Sequence, residues 1–442
     1  MDVGLNVHVL AFTTGAALVT LLLFGVLPAW QTSDIDSATA MKTASRSISG
    51  GNTRTRRLLI ASQVALTMVL VMGACLFIET LQNLRRESVG FVTHETLDAQ
   101  LLPLPGGEVE KSMALAYFSD LLDRMRNLSG VDDASLSSFS PLLTMPYKED
   151  IRRLDSPDRP IIQAPAEFVS DGFLRTMRIP LLQGSDFRRT GGTGIQKTAI
   201  VSESLARKLF PKENSLGRHI RFGSELETQD LEIVGIAADA RLQDPRSKEF
   251  SFLYLNLWQL PRRGNQGNLQ LRYSGTEAQV ITGLQSELRK DGRQYTIQIR
   301  TLAEQHESSL FQEKLLAALG ASFGLLALTL AAIGLFGLLS FFVMTRTSEI
   351  GLRIALGAAR HHICLMVIKE AFILVGMGIL VGFPFCYVTD RALSGLIYGL
   401  APTPIVPLIL SSVIPLVIAG WATLLPVYRA SSVDPLVALR DE

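Results

Sequence analysis

A chain of 442 residues in which 42 basic side chains meet 41 acidic ones, for a net charge of +1, carries no field that would recruit nucleic acid. Hydrophobic residues make up 48% of it and gather in charge-free runs, which excludes a purely water-soluble protein and points to a polytopic membrane protein with one large polar insert. Cys75, Cys364 and Cys386 fall in or beside those runs, so they read as small apolar residues and not as a disulfide framework.

The first run, Val9 to Trp30, is long enough to span a bilayer and lacks the basic start and cleavage site of a signal peptide. Residues 1–32 are therefore expected to form a transmembrane helix. Lys42, Arg46, Arg54, Arg56 and Arg57 follow in a Ser/Thr/Gly-rich linker over 33–57, and the rule that Lys and Arg stay inside makes it cytosolic. Residues 58–79 return the chain outward, with Gln63 the only strongly polar side chain of the span Leu58 to Ile78.

Residues 80–310 are soluble in character and, between two cytosolic flanks, belong on the external face; in a bacterium with two membranes that is the periplasm. Strand and helix patterns alternate there. Strands are expected at Leu97–Leu104, Ala134–Phe139, Thr198–Val201, Leu231–Ala237, Phe252–Leu257, Leu269–Tyr273 and Tyr295–Arg300. Helices are expected at Val109–Leu128, Ser202–Phe210 and Glu277–Leu288, the second ended by Pro211. A polar helical run from Leu302 to Lys314 should feed straight into the next span as a rigid stalk. Such a list packs as mixed α/β layers in two lobes.

Residues 311–442 hold three further spans. Leu315 to Met344 has no Asp, Glu, Lys or Arg, Ala371 to Tyr387 runs outward again, and Pro404 to Tyr428 is the last, after a short external loop from Asp390 to Thr403. Five spans result. Gly320 with Gly324, and Gly378 with Gly382, have the small-xxx-small spacing that lets helices approach closely in lipid. No charged side chain or His sits mid-span, which argues against an ion-coupled carrier.

Between the third and fourth spans lies a short charged segment over 346–360, held in the cytosol by Arg346, Arg353, Arg360 and Lys369. It is expected to be a helix on the membrane surface, with Ser348 as cap, Glu349 at the positive end of the dipole and Gly357 as stop. Glu349 and Arg353 are four apart and able to pair, while Ile350, Leu352, Ile354 and Leu356 offer apolar surface around Gly351. A helix gripped by two spans is a lever.

The chain also repeats itself. Residues 27–42 align without gaps on residues 425–440, sharing Leu, Pro, an aromatic, Ser, Asp, Ala and a final basic residue. The first span is then equivalent to the last, and the expectation is that an earlier half is missing or supplied by another polypeptide.

These features together resemble the permease subunits of MacB/FtsX-type ABC transporters, and the resemblance runs over nearly the whole chain. Arg57-Leu-Leu-Ile-Ala-Ser-Gln-Val-Ala-Leu66 looks like the family's first span, and Phe168 to Gly184 with Ile200 to Pro211 looks like its MacB-type periplasmic core. Arg346-Thr-Ser-Glu-Ile-Gly-Leu-Arg-Ile-Ala-Leu-Gly-Ala358 is similar to its cytosolic coupling helix. The resemblance implies an α+β protein: a polytopic α-helical membrane protein with a mixed α/β periplasmic domain, in the bacterial inner membrane. It implies a non-catalytic permease with no cofactor, whose helix residues Ser348, Glu349, Ile350, Gly351, Leu352, Arg353, Leu356 and Gly357 meet a separate ABC ATPase subunit. The further partners it implies are a second permease copy or missing N-terminal half, membrane lipid and a periplasmic adaptor. An FtsX-like signal transmitter, which controls a periplasmic enzyme or sensor without moving solute, is the alternative.

Other chemistry is weaker in the sequence. Gly191 to Thr198 comes near a phosphate loop, but Gln196 stands where the second glycine must be and the segment lies outside the cell. His361-His362 is a metal pair without Cys or His partners nearby, its two side chains expected on different faces. Ser170, Asp171 and His219 could form a hydrolase triad only without a nucleophile elbow.

Overall fold

The computed structural model describes residues 52–103, 111–143, 148–156, 160–189, 195–223, 228–247, 250–260, 267–290, 295–356, 359–393 and 405–431, with residues 10, 11, 14, 15 and 18. Nearly all of the expected first span, the linker up to residue 51 and the repeat segments 27–42 and 432–440 lie outside them. The chain divides into two compact units, one made of 1–70, 325–387 and 409–442, the other of 71–324 and 388–408.

The second unit holds the α/β core. Its first lobe is a four-stranded antiparallel sheet of β1 (Thr96–Pro103), β2 (Val131–Ser137), β10 (Gly267–Tyr273) and β11 (Tyr295–Thr301), in the order β11-β1-β10-β2. Helix α2 (Lys111–Arg126) links β1 to β2, and α5 (Glu277–Lys290) links β10 to β11. This is the split βαβ arrangement of a ferredoxin-like sheet. Its core fills because residues two apart on the strands (Leu97, Ala99, Leu101; Leu269, Leu271) face Leu121, Leu122 and Met125 of α2 and Val280, Leu284 and Leu288 of α5.

Where that fold would have a tight hairpin between β2 and β10, residues 138–266 are inserted. They build a second lobe in which β4 (Ile162–Val169), β3 (Lys148–Arg153), β7 (His219–Phe222), β8 (Gln229–Ala237), β6 (Thr198–Ser202) and β9 (Leu253–Asn256) pair in turn. β9 then pairs in parallel with β4, so the six strands close a ring; a closed ring leaves no free edge in this set. β5 (Leu181–Gly184) adds onto β8, and α4 (Glu203–Leu209) packs against the ring through Leu205, Ala206 and Leu209.

The short helix α3 (Phe173–Thr176) ends in a Schellman turn: Ile179 N–H bonds Leu174 O at 2.8 Å and Arg178 N–H bonds Arg175 O at 3.2 Å. The residue between is Arg178 at φ 54°, where an L side chain crowds its own carbonyl. Arg178→Gly is expected to raise the unfolding free energy of this unit by about 1 kcal/mol, since glycine takes that conformation freely. A denaturant midpoint unchanged or lowered would contradict this.

Four helices among the described residues are long and apolar enough to cross a membrane, within α1 (Asn52–Arg86), α7 (Phe311–Thr345), α9 (Arg360–Leu393) and α10 (Ile405–Ser431). The second span extends well past the expected end at Ile78, to Arg86, because nothing in Glu79 to Arg86 breaks a helix. The expected stalk is interrupted. α6 (Leu302–Ser309) carries a Thr301/Glu304 capping box and stops at the buried Leu310, and α7 starts afresh at Phe311.

In the first unit, α1 lies in notches made by glycine. A Cβ on Gly378 would sit 2.6 Å from the Val64 Cβ and 2.9 Å from the Ala61 carbonyl, and one on Gly382 would sit 3.2 Å from the Ala65 Cα. A Cβ on Gly334 of α7 would meet the Gln63 amide oxygen at 2.9 Å, and Thr67 Oγ1 donates to Ala327 O at 3.3 Å. The expected small-residue pair on α9 is thus a real contact face.

Candidate coupling surface

Helix α8 (Thr347–Ala355) follows α7 after one turn residue, Arg346, so the chain reverses with almost no loop. Arg346 takes the cap position, stacks its guanidinium 4.5 Å from the Phe342 ring centre and reaches Glu349 at 3.9 Å. Thr347 Oγ1 donates to Val343 O at 3.0 Å and Met344 O at 2.9 Å, satisfying carbonyls that the end of α7 leaves open.

Two sequence expectations are corrected here. Ser348 is not the cap: the cap lies two residues earlier, at Arg346, because the single-residue turn leaves Arg346 as the first half-helical position and α8 starts at Thr347. Glu349 does not pair with Arg353. It turns back one helical turn to Arg346, while Arg353 Nη1 donates to Met366 Sδ at 3.5 Å on α9. The end of α8 is at Leu356, whose N–H closes on Leu352 O at 3.0 Å; Gly357 lies outside the described residues.

The helix has two unlike faces. Ile350 is 1% exposed and, with buried Gly351 and half-buried Ile354, packs on Leu335, Leu339, Val343, Ile363 and Val367. Leu352 is 51% exposed and Leu356 80%. Together with exposed Glu349 and Arg353 they follow the i, i+3, i+4, i+7 spacing of a single helical stripe. A stripe destined for lipid would be apolar throughout. Charges of both signs interleaved with large aliphatic side chains suit a protein partner instead.

The support beneath α8 is firm. Arg57 of α1 pairs with Glu370 of α9 at 2.6 Å, and the Arg56 guanidinium stands 4.3 Å from the Phe341 ring centre of α7. These contacts tie α1 to both helices that flank α8.

The other sequence candidates are occupied differently. Ser170 Oγ accepts from Leu136 N–H at 2.9 Å and donates to the Asp171 carbonyl. Asp171 is held by Arg126 at 2.9 Å, Arg189 at 3.3 Å and the Trp258 Nε1–H at 2.9 Å. Burial would push its carboxyl up, but these partners leave it below the ordinary carboxylate range, and its oxygens are taken by Arg126, Arg189 and Trp258 and not by a histidine. Lys197 bonds Gln229 and Thr198 Oγ1 bonds Gln259 at 3.0 Å, while 191–194 lie outside the described residues. The His361 and His362 rings sit 4.1 Å apart, closer than adjacent positions on a helix suggest. Among the described residues no three His, Cys, Asp or Glu side chains are grouped to hold a metal.

Comparison with known proteins places these parts. The model of the MacB-like periplasmic core domain matches residues 58–291, and that of the FtsX-like permease C-terminal matches residues 321–435. A macrolide export ATP-binding/permease protein MacB of Wolinella succinogenes is 26% identical over 298 residues, 62% of this chain and 43% of that protein. An ABC transporter permease of Bacillus subtilis, YknZ, is 24% identical over 284 residues, 62% of this chain and 69% of that one. The crystallised periplasmic region of MacB from Actinobacillus actinomycetemcomitans aligns at 13% identity with TM-score 0.35, covering 52% of this chain and 97% of that one. The chain thus spans about two fifths of the length of the MacB relatives it matches. With a core-domain match upstream, a permease match downstream and apolar membrane helices carrying α8, the chain belongs to the MacB-like family of ABC transporter permeases.

Proposed function

We propose that this chain is the non-catalytic permease subunit of an exporter: a separate ABC ATPase docks on Glu349, Leu352, Arg353 and Leu356. ATP is hydrolysed on that subunit. Its movement, taken up by α8 and the membrane helices, changes the conformation of the periplasmic core and drives a substrate outward by mechanotransmission. The observation that carries this reading is the exposure of Leu352 and Leu356, interleaved with two charges, on a helix whose other face packs on the bundle.

Leu352→Asp with Leu356→Asp is expected to lower copurification of the ATPase subunit with the membrane-inserted permease at least tenfold, since central aliphatic anchors dominate such interfaces. Both side chains already face outward, so folding should be spared. Undiminished capture of the ATPase by the double variant would sink the docking reading.

The same reading expects a second permease half, from another copy or another polypeptide, a surround of inner-membrane lipid and a periplasmic adaptor. Export and pure signal transmission share this machinery. A periplasmic hydrolase or sensor kinase recovered with the core, in place of an adaptor, would favour the transmitter.

A further inference from the structure

The break between α6 and α7 at Leu310 is braced from two sides. On one side, Gln305 of α6 reaches into the first lobe. Its Nε2 donates to Asp98 Oδ2 at 2.9 Å and to Ser140 Oγ at 3.2 Å. Asp98 is buried and also accepts from Gln270 Nε2 at 2.8 Å and from Ser140 Oγ. Three neutral donors from three segments thus converge on one carboxylate, which fixes where α6 sits on the sheet.

On the other side stands Arg246, from the 241–247 loop of the inserted lobe. Its Nη2 donates to Ser309 O, the last residue of α6, at 2.9 Å and to Glu313 Oε2, in the first turn of α7, at 2.6 Å. Nε meets Glu313 Oε1 at 2.5 Å, and Asp244 holds Nη1 at 3.1 Å. A planar guanidinium that grips the end of one helix and the start of the next in a two-point fork sets the angle between them. Glu307 of α6, bonded to Lys314 of α7 and to Arg85 of α1 at 3.2 Å, adds a second tie across the same break.

We propose that Arg246 and the Asp98–Gln305 pair act as positioning residues that turn the Leu310 break into a rigid elbow, so that displacement of α7 is delivered to β1 and β10 instead of being absorbed as bending. This rests on the transmission part of the reading above and goes beyond it in naming the joint. Helices that meet at an unbraced break would flex under load, because one turn residue has free backbone dihedrals.

The test uses the full chain in lipid nanodiscs and amide hydrogen exchange. Without nucleotide, Arg246→Glu is expected to speed exchange over 309–316 at least tenfold, and Gln305→Leu to do so over 302–309. The charge swap Arg246→Glu with Glu313→Arg should return 309–316 to within about threefold of the starting rate, as expected for a direct pair. With the ATPase subunit, ATP and vanadate added, the unaltered chain is expected to show a change in exchange at β1 and β10. Arg246→Glu should lose that change and the swap should regain it. Unchanged exchange at 309–316 in Arg246→Glu would overturn the elbow. Local loosening with the nucleotide response intact would reduce the brace to a stabilising contact and overturn its positioning role. Strands that ignore nucleotide in the unaltered chain, while the ATPase still copurifies, would refute transmission through the elbow and leave docking standing.

Discussion

Glu167→Gln is expected to flatten the stability of the core domain against pH between about 5.5 and 8. Glu167 lies on β4 with 5% of its surface exposed, and its carboxylate accepts from Phe139 N–H at 2.7 Å and Ser138 Oγ at 3.1 Å. Both are neutral donors. Burial pushes its pKa from 4.5 up to about 8, and the neighbouring Asp98, itself raised by burial, adds to this; the hydrogen bonds act the other way without prevailing. The sign follows from proton counting. Between the unfolded and folded values the native state holds a proton that the unfolded chain has lost, so stability is greatest below about 4.5 and falls as pH rises through about 8. The slope is about 1.4 kcal/mol per pH unit, amounting to roughly 5 kcal/mol over the whole window. Glutamine keeps the shape and has no proton to lose. Urea midpoints of the full chain, followed by intrinsic fluorescence at pH 6, 7 and 8, should decline for the unaltered chain and much less for the variant. Parallel slopes would show that Glu167 is not the group responsible.

Gly378→Val is the second large effect, and it acts on the membrane unit. The first side-chain carbon alone would lie 2.6 Å from the Val64 Cβ and 2.9 Å from a backbone oxygen of α1, and neither can swing aside as the tip of a flexible side chain could. Separating α1 from α9 forfeits packing along the whole notch, since lipid offers no hydrophobic gain to offset it. A loss of about 3 kcal/mol is expected, read as an earlier onset of aggregation on heating in detergent. Gly376→Ala is the internal control, because nothing lies within 4 Å of the added carbon there. Equal heat tolerance in the two variants would rule out the notch as a source of stability.

How much of this was legible before the fold was known depends on whether a signal is local. β1, α2, β10, α5 and β11 announced themselves through alternating or 3.6-residue apolar spacing, because each has one face on a single core. β3, β4, β5 and β7 did not. Lys148–Arg153 buries only Ile151 and Arg153, and Leu181–Gly184 and His219–Phe222 are four residues each, so their pairing is set by distant partners. The nesting of 138–266 inside a ferredoxin-like sheet is a property of strand order and leaves no pattern in any one segment.

The coupling segment was legible as a helix, and its charges were read correctly as surface groups. Which leucines face outward was not, since Ile350 and Leu352 differ in exposure only because the bundle lies on one side. The elbow was hidden altogether. Leu302 to Lys314 has no Pro or Gly to mark a break, and the residue that holds the break, Arg246, is 63 positions from Ser309 and 67 from Glu313.

The nesting of the two lobes limits how the protein can be re-engineered or diversify. Asn268 is registered opposite Ser137, so the inserted lobe leaves and re-enters the sheet on neighbouring strands, a spacing of about 5 Å that a two-residue turn could close. By that measure it is a cassette, ready to be exchanged for another head. Yet the cassette also contributes Ser140, Arg241 and Arg246, which fasten it to Asp98, Glu87 and Glu313 beneath. A foreign head grafted at the same seam would inherit the covalent attachment and forfeit these fastenings. Novelty is therefore cheapest at the far loops of the ring, and the seam-side residues must travel with any graft that is to keep these fastenings.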